Sequence, residues 1–320
     1  MHLIRSLLIF SLVISLSIYA PYKAFFDHVP QNKNLVINIE RGDTIYEVFS
    51  LFLPINFANK LFLKIYSLRN DINLIQYGEY QIGNKSIIEI INLIKSGETI
   101  THKLKINEGL NIYDIENLIN DSYLINDCSF LKCINTNLSF REGILYPDTY
   151  FYKKGMSASE ILNESHARLE NYLNNKLKNK STYTSLNKEE VLILASIIEK
   201  EAGNDNEKSK IASVFLKRLS IGMRLQADPT IIYGLLPNFD GDIKKSDILD
   251  KNNKYNTYMI NGLPPTPISI SSISSINASI DSLPGDYLFF VADSKTSHYF
   301  SKTYEEHLNK INELGLNKWK

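Results

Sequence analysis

Glu199 and Glu201 stand at the end of a nearly apolar stretch, LILASIIEKEAGN, running from Leu192 to Asn204. A carboxyl group held against apolar surface resists ionisation, because burial penalises the charged form, and it can then donate a proton near neutral pH. On a wheel of 3.6 residues per turn, Ile193, Leu194, Ile197 and Ile198 define the centre of an apolar arc, and Glu201 falls inside it. Glu199 falls on the far side with Ser196 and Lys200, where water or a surface salt bridge can satisfy it. Only one of the two carboxylates is therefore expected to be deeply buried. Asn187 and Glu190 have capping-box spacing, with Leu186 and Val191 placed as a hydrophobic staple, and this fixes the helix start and its register. Glu201 is the candidate general acid. On the residues alone, a helix-end Glu folded out to solvent remains the alternative.

Polar groups suited to sugar recognition follow. Gln226 and Asp228 sit in an expected loop that ends at Asp228-Pro229, where proline biases the residue before it toward extended geometry and away from helix, and Gln226 can hydrogen-bond an acetamido group in both directions. Asn256 and Tyr258, in a YNTY segment, supply an amide and a phenol of the kinds that grip hydroxyls and stack on pyranose rings; Tyr233 is a further candidate. As isolated residues these would serve equally in turns or in the core. Arg218 and Arg224 could meet substrate carboxylates, although helix-face ion pairs are the simpler expectation.

The blocks ASIIEKEA, VFLKRLSIGMRLQADPTIIYG, YNTYMINGLPPTPI and FFVAD, in that order, resemble the endolytic murein transglycosylase family, the MltG or YceG-like proteins, over roughly residues 35–310. The resemblance implies a membrane-anchored enzyme that cuts peptidoglycan between N-acetylmuramic acid and N-acetylglucosamine, and motif alignment makes Glu201 its catalytic residue. It favours substrate roles for Gln226 and Asn256 in particular. One Glu suffices for such a reaction: it protonates the bridging oxygen, then takes the proton from the muramic 6-hydroxyl as a 1,6-anhydro ring closes. A hydrolytic glycosidase needs a second carboxylate, and Asp228 is the obvious candidate for that alternative. A non-catalytic peptidoglycan-binding scaffold is the third reading. The chain departs from the family pattern at Ala202, where Thr or Ser is usual, at Thr266, where glycine is common, and over Ser269 to Ser275, where proline and glycine usually build a turn.

The elements that must position these residues form an α+β chain with four expected parts. Residues 1–26, MHLIRSLLIFSLVISLSIYA and its continuation, read as an uncleaved signal anchor: Arg5 precedes an apolar run, and Pro21 opposes cleavage after Ala20. This places the amino terminus in the cytoplasm and the body outside, on a single-pass membrane protein. Residues 27–100 read as strand (LVINIE), helices at Ile45 to Leu53 and Phe57 to Leu68, strand (YGEYQI), then an amphipathic helix over Ser86 to Ser96. That order resembles a LysM-like module, which binds N-acetylglucosamine-containing glycans or serves as a rigid spacer. Residues 101–155 form a linking segment, with a strand at HKLKINEG, a helix at Ile112 to Leu118 and the stretch REGILYPDTYFY, in which Glu142 or Asp148 could approach substrate or Asp148 could cap a turn. Residues 156–320 are the helix-rich α+β catalytic domain, with helices before and after the Glu201 helix, a strand at FFVAD and a closing helix from Tyr304.

Composition excludes several classes of function. The chain has 320 residues with 35 basic and 35 acidic side chains, so nothing marks it for nucleic acid. Cys128 and Cys133 could pair in an oxidising compartment; with no histidine beside them they are a weak metal signal, and no metal or cofactor is expected. The expected partners are peptidoglycan glycan strands, the membrane through the N-terminal helix and, as the resemblance implies, penicillin-binding protein synthases of the elongation and division machinery.

Overall fold

The computed structural model describes residues 2–70, 75–178, 186–294 and 296–316, with the side chains of residues 1–12 and 14 outside that description. The chain divides into two compact units: residues 1–102 with 151–156, and residues 103–150 with 157–320. The four-part expectation thus meets a two-unit organisation, in which the linking segment is shared out between the units.

The first unit opens with α1 (His2–Phe26), which contains Pro21. The anchor expectation falls largely on side chains outside those described, and among the described residues no helix is long and apolar enough to cross a membrane. Strand β1 (Val36–Ile39) pairs antiparallel with β2 (Gly78–Gln81), Ile37 opposite Tyr80, and between them lie α2 (Ile45–Ser50) and α3 (Phe57–Asn70). The helix α4 (Ile87–Ser96) follows, opened by a capping box between Ser86 and Glu89 and closed by Gly97 in the left-handed conformation. A period-2 strand and a 3.6-period helix can share one apolar layer: Ile37, Ile39 and Tyr80 from the strands meet Val48, Phe49, Leu63, Ile87, Ile90, Ile91 and Ile94 from the helices.

Strands β3 (His102–Ile106) and β4 (Asp148–Tyr152) form a second two-stranded sheet. The second unit holds α5 (Ile112–Asn120), started by Asn111 and Asp114 as another capping box, and a disulfide between Cys128 and Cys133. It continues with α6 (Ala158–Lys178), α7 (Lys188–Glu201), α8 (Lys208–Ser220), α9 (Asp228–Leu235), α10 (Lys245–Ile248) and α11 (Ile273–Asp281). The hairpin of β5 (Phe289–Ala292) and β6 (His298–Ser301) and the helix α12 (Tyr304–Glu313) close the chain. The fold is mixed α+β, mostly helical with small two-stranded sheets, as expected.

The predicted capping box of α7 is present, with Asn187 Oδ1 accepting from the Glu190 amide at 3.0 Å and Glu190 accepting from the Asn187 amide at 2.8 Å. Every residue from Val191 to Ile198 is buried, Ser196 included, because α7 packs against α8, α9 and α11 at once. The one-sided amphipathic helix of the sequence reading is instead a central helix. Ser196 tolerates this position because its hydroxyl donates to the Ile193 carbonyl at 2.7 Å and accepts the Ile268 amide at 3.0 Å.

Candidate active site

The last turn of α7 holds two carboxylates in opposite chemical states. Glu199 does not face water, as the wheel had suggested. Its side chain is only 8% exposed, against a Lys208 that is 7% exposed, with Oε2 3.2 Å from the ammonium. The same oxygen accepts from the Ser272 amide (2.9 Å), the Ser272 hydroxyl (2.5 Å) and the Ser275 hydroxyl (2.6 Å). Burial by itself would raise its pKa, but the Ser272 and Ser275 donors together with Lys208 outweigh burial and hold the carboxyl below its ordinary value. Glu199 is thus an ionised anchor between α7 and the start of α11, held through Oε2. The wheel misplaced it because the serine-rich segment supplies, inside the fold, the donors expected from solvent.

Glu201 is the last residue of α7, half-buried, and among the described residues its carboxyl has no hydrogen-bond partner. Burial pushes its pKa up to about 8; the negative charge of nearby Asp228 adds to the effect and Arg218 opposes it. A carboxyl that is desolvated, unpaired and reachable from solvent can hold a proton at neutral pH and pass it to a ligand, which Glu199 cannot.

Asp228 is the first residue of α9, not the end of a loop; Pro229 behind it is tolerated because the first turn of a helix has no internal partner for that amide. Its Oδ1 accepts from the Tyr258 hydroxyl at 2.7 Å. Burial and this bond raise the Tyr258 pKa, so the phenol keeps its proton. The structure therefore brings Glu201, Asp228, Tyr258 and Arg218 into one electrostatic neighbourhood. Gln226 sits beside them in the chain with a positive φ of 51°, an uncommon backbone state for a residue with a side chain. Its neighbours enforce it: Leu225 and Ala227 are buried at 0% and 1% exposure, the Leu225 carbonyl accepts from Arg218 at 2.6 Å and the Ala227 amide donates to Thr257 at 2.9 Å. The Gln226 side chain is left exposed.

Two further candidates have partners inside the fold. Asn256 is fully buried, and its amide nitrogen donates to the carbonyls of Asp247, Ile248 and Asp250 at 2.9 to 3.0 Å. It closes the end of α10 and has no atom to offer a substrate. Tyr233 donates to Glu142 Oε2 at 2.8 Å and packs edge-on against Tyr255, rather than joining Glu201. Glu142, 4% exposed, also accepts the Ile112 amide at the start of α5 and the Gly143 amide, each at 2.9 Å. Burial pushes its pKa up to about 7 despite these donors. Asp148 accepts from the Thr149 amide at 2.7 Å and pairs with Arg168 at 2.6 Å. The expected ion pairs of the two arginines are absent among the described residues. Arg218 is buried, donating to the Leu288 and Leu225 carbonyls, and Arg224 donates to the Tyr258 carbonyl at 2.8 Å.

The sequence reading missed Lys208, Ser272, Ser275 and Thr257 as supports of the site. The legible signal was the Ser269 to Ser275 run, whose hydroxyls require buried acceptors if the segment packs inside. Gly203 gives a second one: a Cβ there would meet backbone atoms of Thr296 at 2.9 Å, so only glycine lets the loop after Glu201 close on the hairpin.

Comparison with known proteins gives a consistent result. Over 177 residues, 54% of this chain, it is 36% identical to the endolytic murein transglycosylase of Bacillus subtilis (strain 168). It is 32% identical over 176 residues to the protein of that name from Streptococcus pneumoniae serotype 2. The matched stretch spans 47% of the first relative's length and 31% of the second's. The 2.6 Å crystal structure of a yceG-like protein from Listeria monocytogenes superimposes with a TM-score of 0.57 at 29% identity, covering 88% of this chain and 99% of that one. The YceG-like family matches residues 37–313, and the chain therefore belongs to the YceG-like family.

Proposed function

We propose that this chain is an endolytic peptidoglycan lytic transglycosylase in which Glu201 acts first as acid and then as base. The observation that carries the reading is the half-buried, unpaired Glu201 with its raised pKa, two residues from a Glu199 locked as a carboxylate. Protonated Glu201 gives its proton to the glycosidic oxygen between N-acetylmuramic acid and N-acetylglucosamine, and the bond from that oxygen to the muramic anomeric carbon breaks, releasing the N-acetylglucosamine hydroxyl. The carboxylate left behind removes the 6-hydroxyl proton, and that oxygen closes on the anomeric carbon. Asp228, oriented by Tyr258, adds to the burial that keeps Glu201 protonated and its charge suits the developing positive charge, while the exposed Gln226 amide is suited to an acetamido group. Incubation with uncrosslinked glycan strands should yield ends lacking the mass of water, and none with Glu201→Gln. Reducing ends would instead mean that water attacks, the muramidase-type reading favoured by the nearby Asp228. No cleavage by the wild-type chain would leave a binding scaffold.

The pH profile tests the pairing of Glu201 with Asp228. The acid form of Glu201 is lost as pH rises through about 8, so kcat/KM should fall above that pH. Asp228→Asn removes a charge that raises this pKa, and the alkaline limb should move to lower pH by about one unit. An unmoved limb would remove Asp228 from the acid's environment.

In this reading residues 1–26 anchor the chain with its amino terminus in the cytoplasm, and residues 27–100 are the LysM-like glycan-binding part. Cleavage close to the membrane would end the elongation of nascent strands made by penicillin-binding synthases. Protease added outside spheroplasts should digest the body; full protection would overturn this placement.

A further inference from the structure

The helix α3 exposes an apolar stripe on the first unit. Phe57 is 84% exposed, Leu61 45%, Ile65 36% and Leu68 78%. Their spacing of four, four and three residues puts them on one arc of the helix. Lys60 and Lys64 flank that arc on one side and Arg69 on the other; all three are exposed, and α3 carries no acidic residue. The opposite face is already occupied: Leu63 is fully buried, Phe62 meets Tyr22 and Phe25 of α1 at ring distances of 5.5 and 5.8 Å, and Tyr66 meets Phe26 at 4.8 Å. The outward stripe is therefore not a misplaced core face. The neighbouring turns of α1 are apolar and exposed too, at Val13, Leu16, Ile18 and Tyr19.

We propose that α3 lies flat on an anionic phospholipid surface, its Phe57, Leu61, Ile65 and Leu68 face entering the acyl boundary and Lys60, Lys64 and Arg69 meeting the headgroups. A surface helix with aromatic and leucine side chains on one arc and only cations at its margins fits this partner. A protein groove would complement the apolar arc but gives no reason for uniformly basic margins. The inference rests on the reading that α1 anchors the chain beside that surface. About 20 Å of helix would then lie along the bilayer, and each cation would favour the anionic surface about five-fold.

The test uses the full chain with Leu61→Trp in a Trp319→Phe background, since Trp319 is the single native tryptophan. The protein is reconstituted into phosphatidylcholine vesicles with and without phosphatidylglycerol, carrying brominated acyl chains. Blue-shifted emission and bromine quenching are expected with phosphatidylglycerol, and should fall several-fold in the Lys60→Gln, Lys64→Gln, Arg69→Gln variant. Phe57→Trp repeats the measurement one turn away. A chain that floats with the vesicles while its introduced tryptophan stays open to iodide overturns the α3 inference and spares the anchor. A shift that follows the protein-to-lipid ratio rather than lipid charge assigns the face to a second copy and also overturns it. A chain that does not float overturns both.

Discussion

Glu201→Gln should abolish glycan cleavage and at the same time make the protein more stable in alkaline solution. Proton transfer by one positioned side chain contributes roughly 10²–10⁴-fold, and Glu201 serves both halves of the proposed reaction, so a loss of at least about 10³-fold is expected. The stability change follows from linkage. Glu201 in the fold titrates at about 8 against an ordinary value of 4.5, so the folded state binds more protons between those limits. Its contribution is fully present below about 4.5 and is lost as pH rises through about 8. Glutamine cannot ionise. The variant should therefore match the wild type near pH 4 and exceed it at pH 9, by an amount on the order of a few kcal/mol. Thermal melts across that range give the comparison; a variant less stable than wild type at every pH would mean that Glu201 is not a desolvated acid.

Glu199→Ala should have the opposite signature, a large loss of stability at neutral pH. It would strip the buried Lys208 ammonium of a charged partner and leave the Ser272 amide and two serine hydroxyls without their acceptor. Breaking a buried pair by removing one member costs about 3–5 kcal/mol, and Asp205, 2.7 Å from the same ammonium, should hold the loss toward the lower end. Glu199→Gln keeps an acceptor oxygen and should lose less than half as much. Urea titrations measure both. A stable but inactive Glu199→Gln protein, beside an active Glu201→Gln protein, would reverse the assignment of the acid.

Local signals carried most of the fold. Asn187 with Glu190, the amphipathic run from Ser86 to Ser96 and the alternation in LVINIE are read within a few residues, because capping and periodicity depend on near neighbours. That Glu199 and Glu201 face different surroundings was also legible, although for an incomplete reason. The wheel finds the apolar arc, but it cannot know that α11 brings Ser272 and Ser275 against the other side of α7 from more than seventy residues away. The same limit explains Asn256 and Tyr233. An amide and a phenol have the right chemistry for a sugar, yet their partners, the carbonyls ending α10 and the Glu142 carboxyl, are fixed by tertiary packing. At Asp228 the rule for residues before proline pointed to a loop, and the tolerance of proline in a first helical turn prevailed.

Ala202 leaves the helix in extended geometry, with φ −73° and ψ 126°, directly after Glu201. The Glu201 carboxyl therefore sits where the peptide dipoles of α7 sum to a partial negative charge, the end at which helices disfavour an anion by about 0.3–1 kcal/mol. A sequence selected for helix stability would place Lys or Arg there. The backbone itself thus adds to the pressure that keeps Glu201 protonated, and a longer helix would relieve it. Where α7 stops is accordingly part of what keeps this carboxyl protonated, set by the residue after it and by the Gly203–Asn204 loop that holds the chain away from another turn.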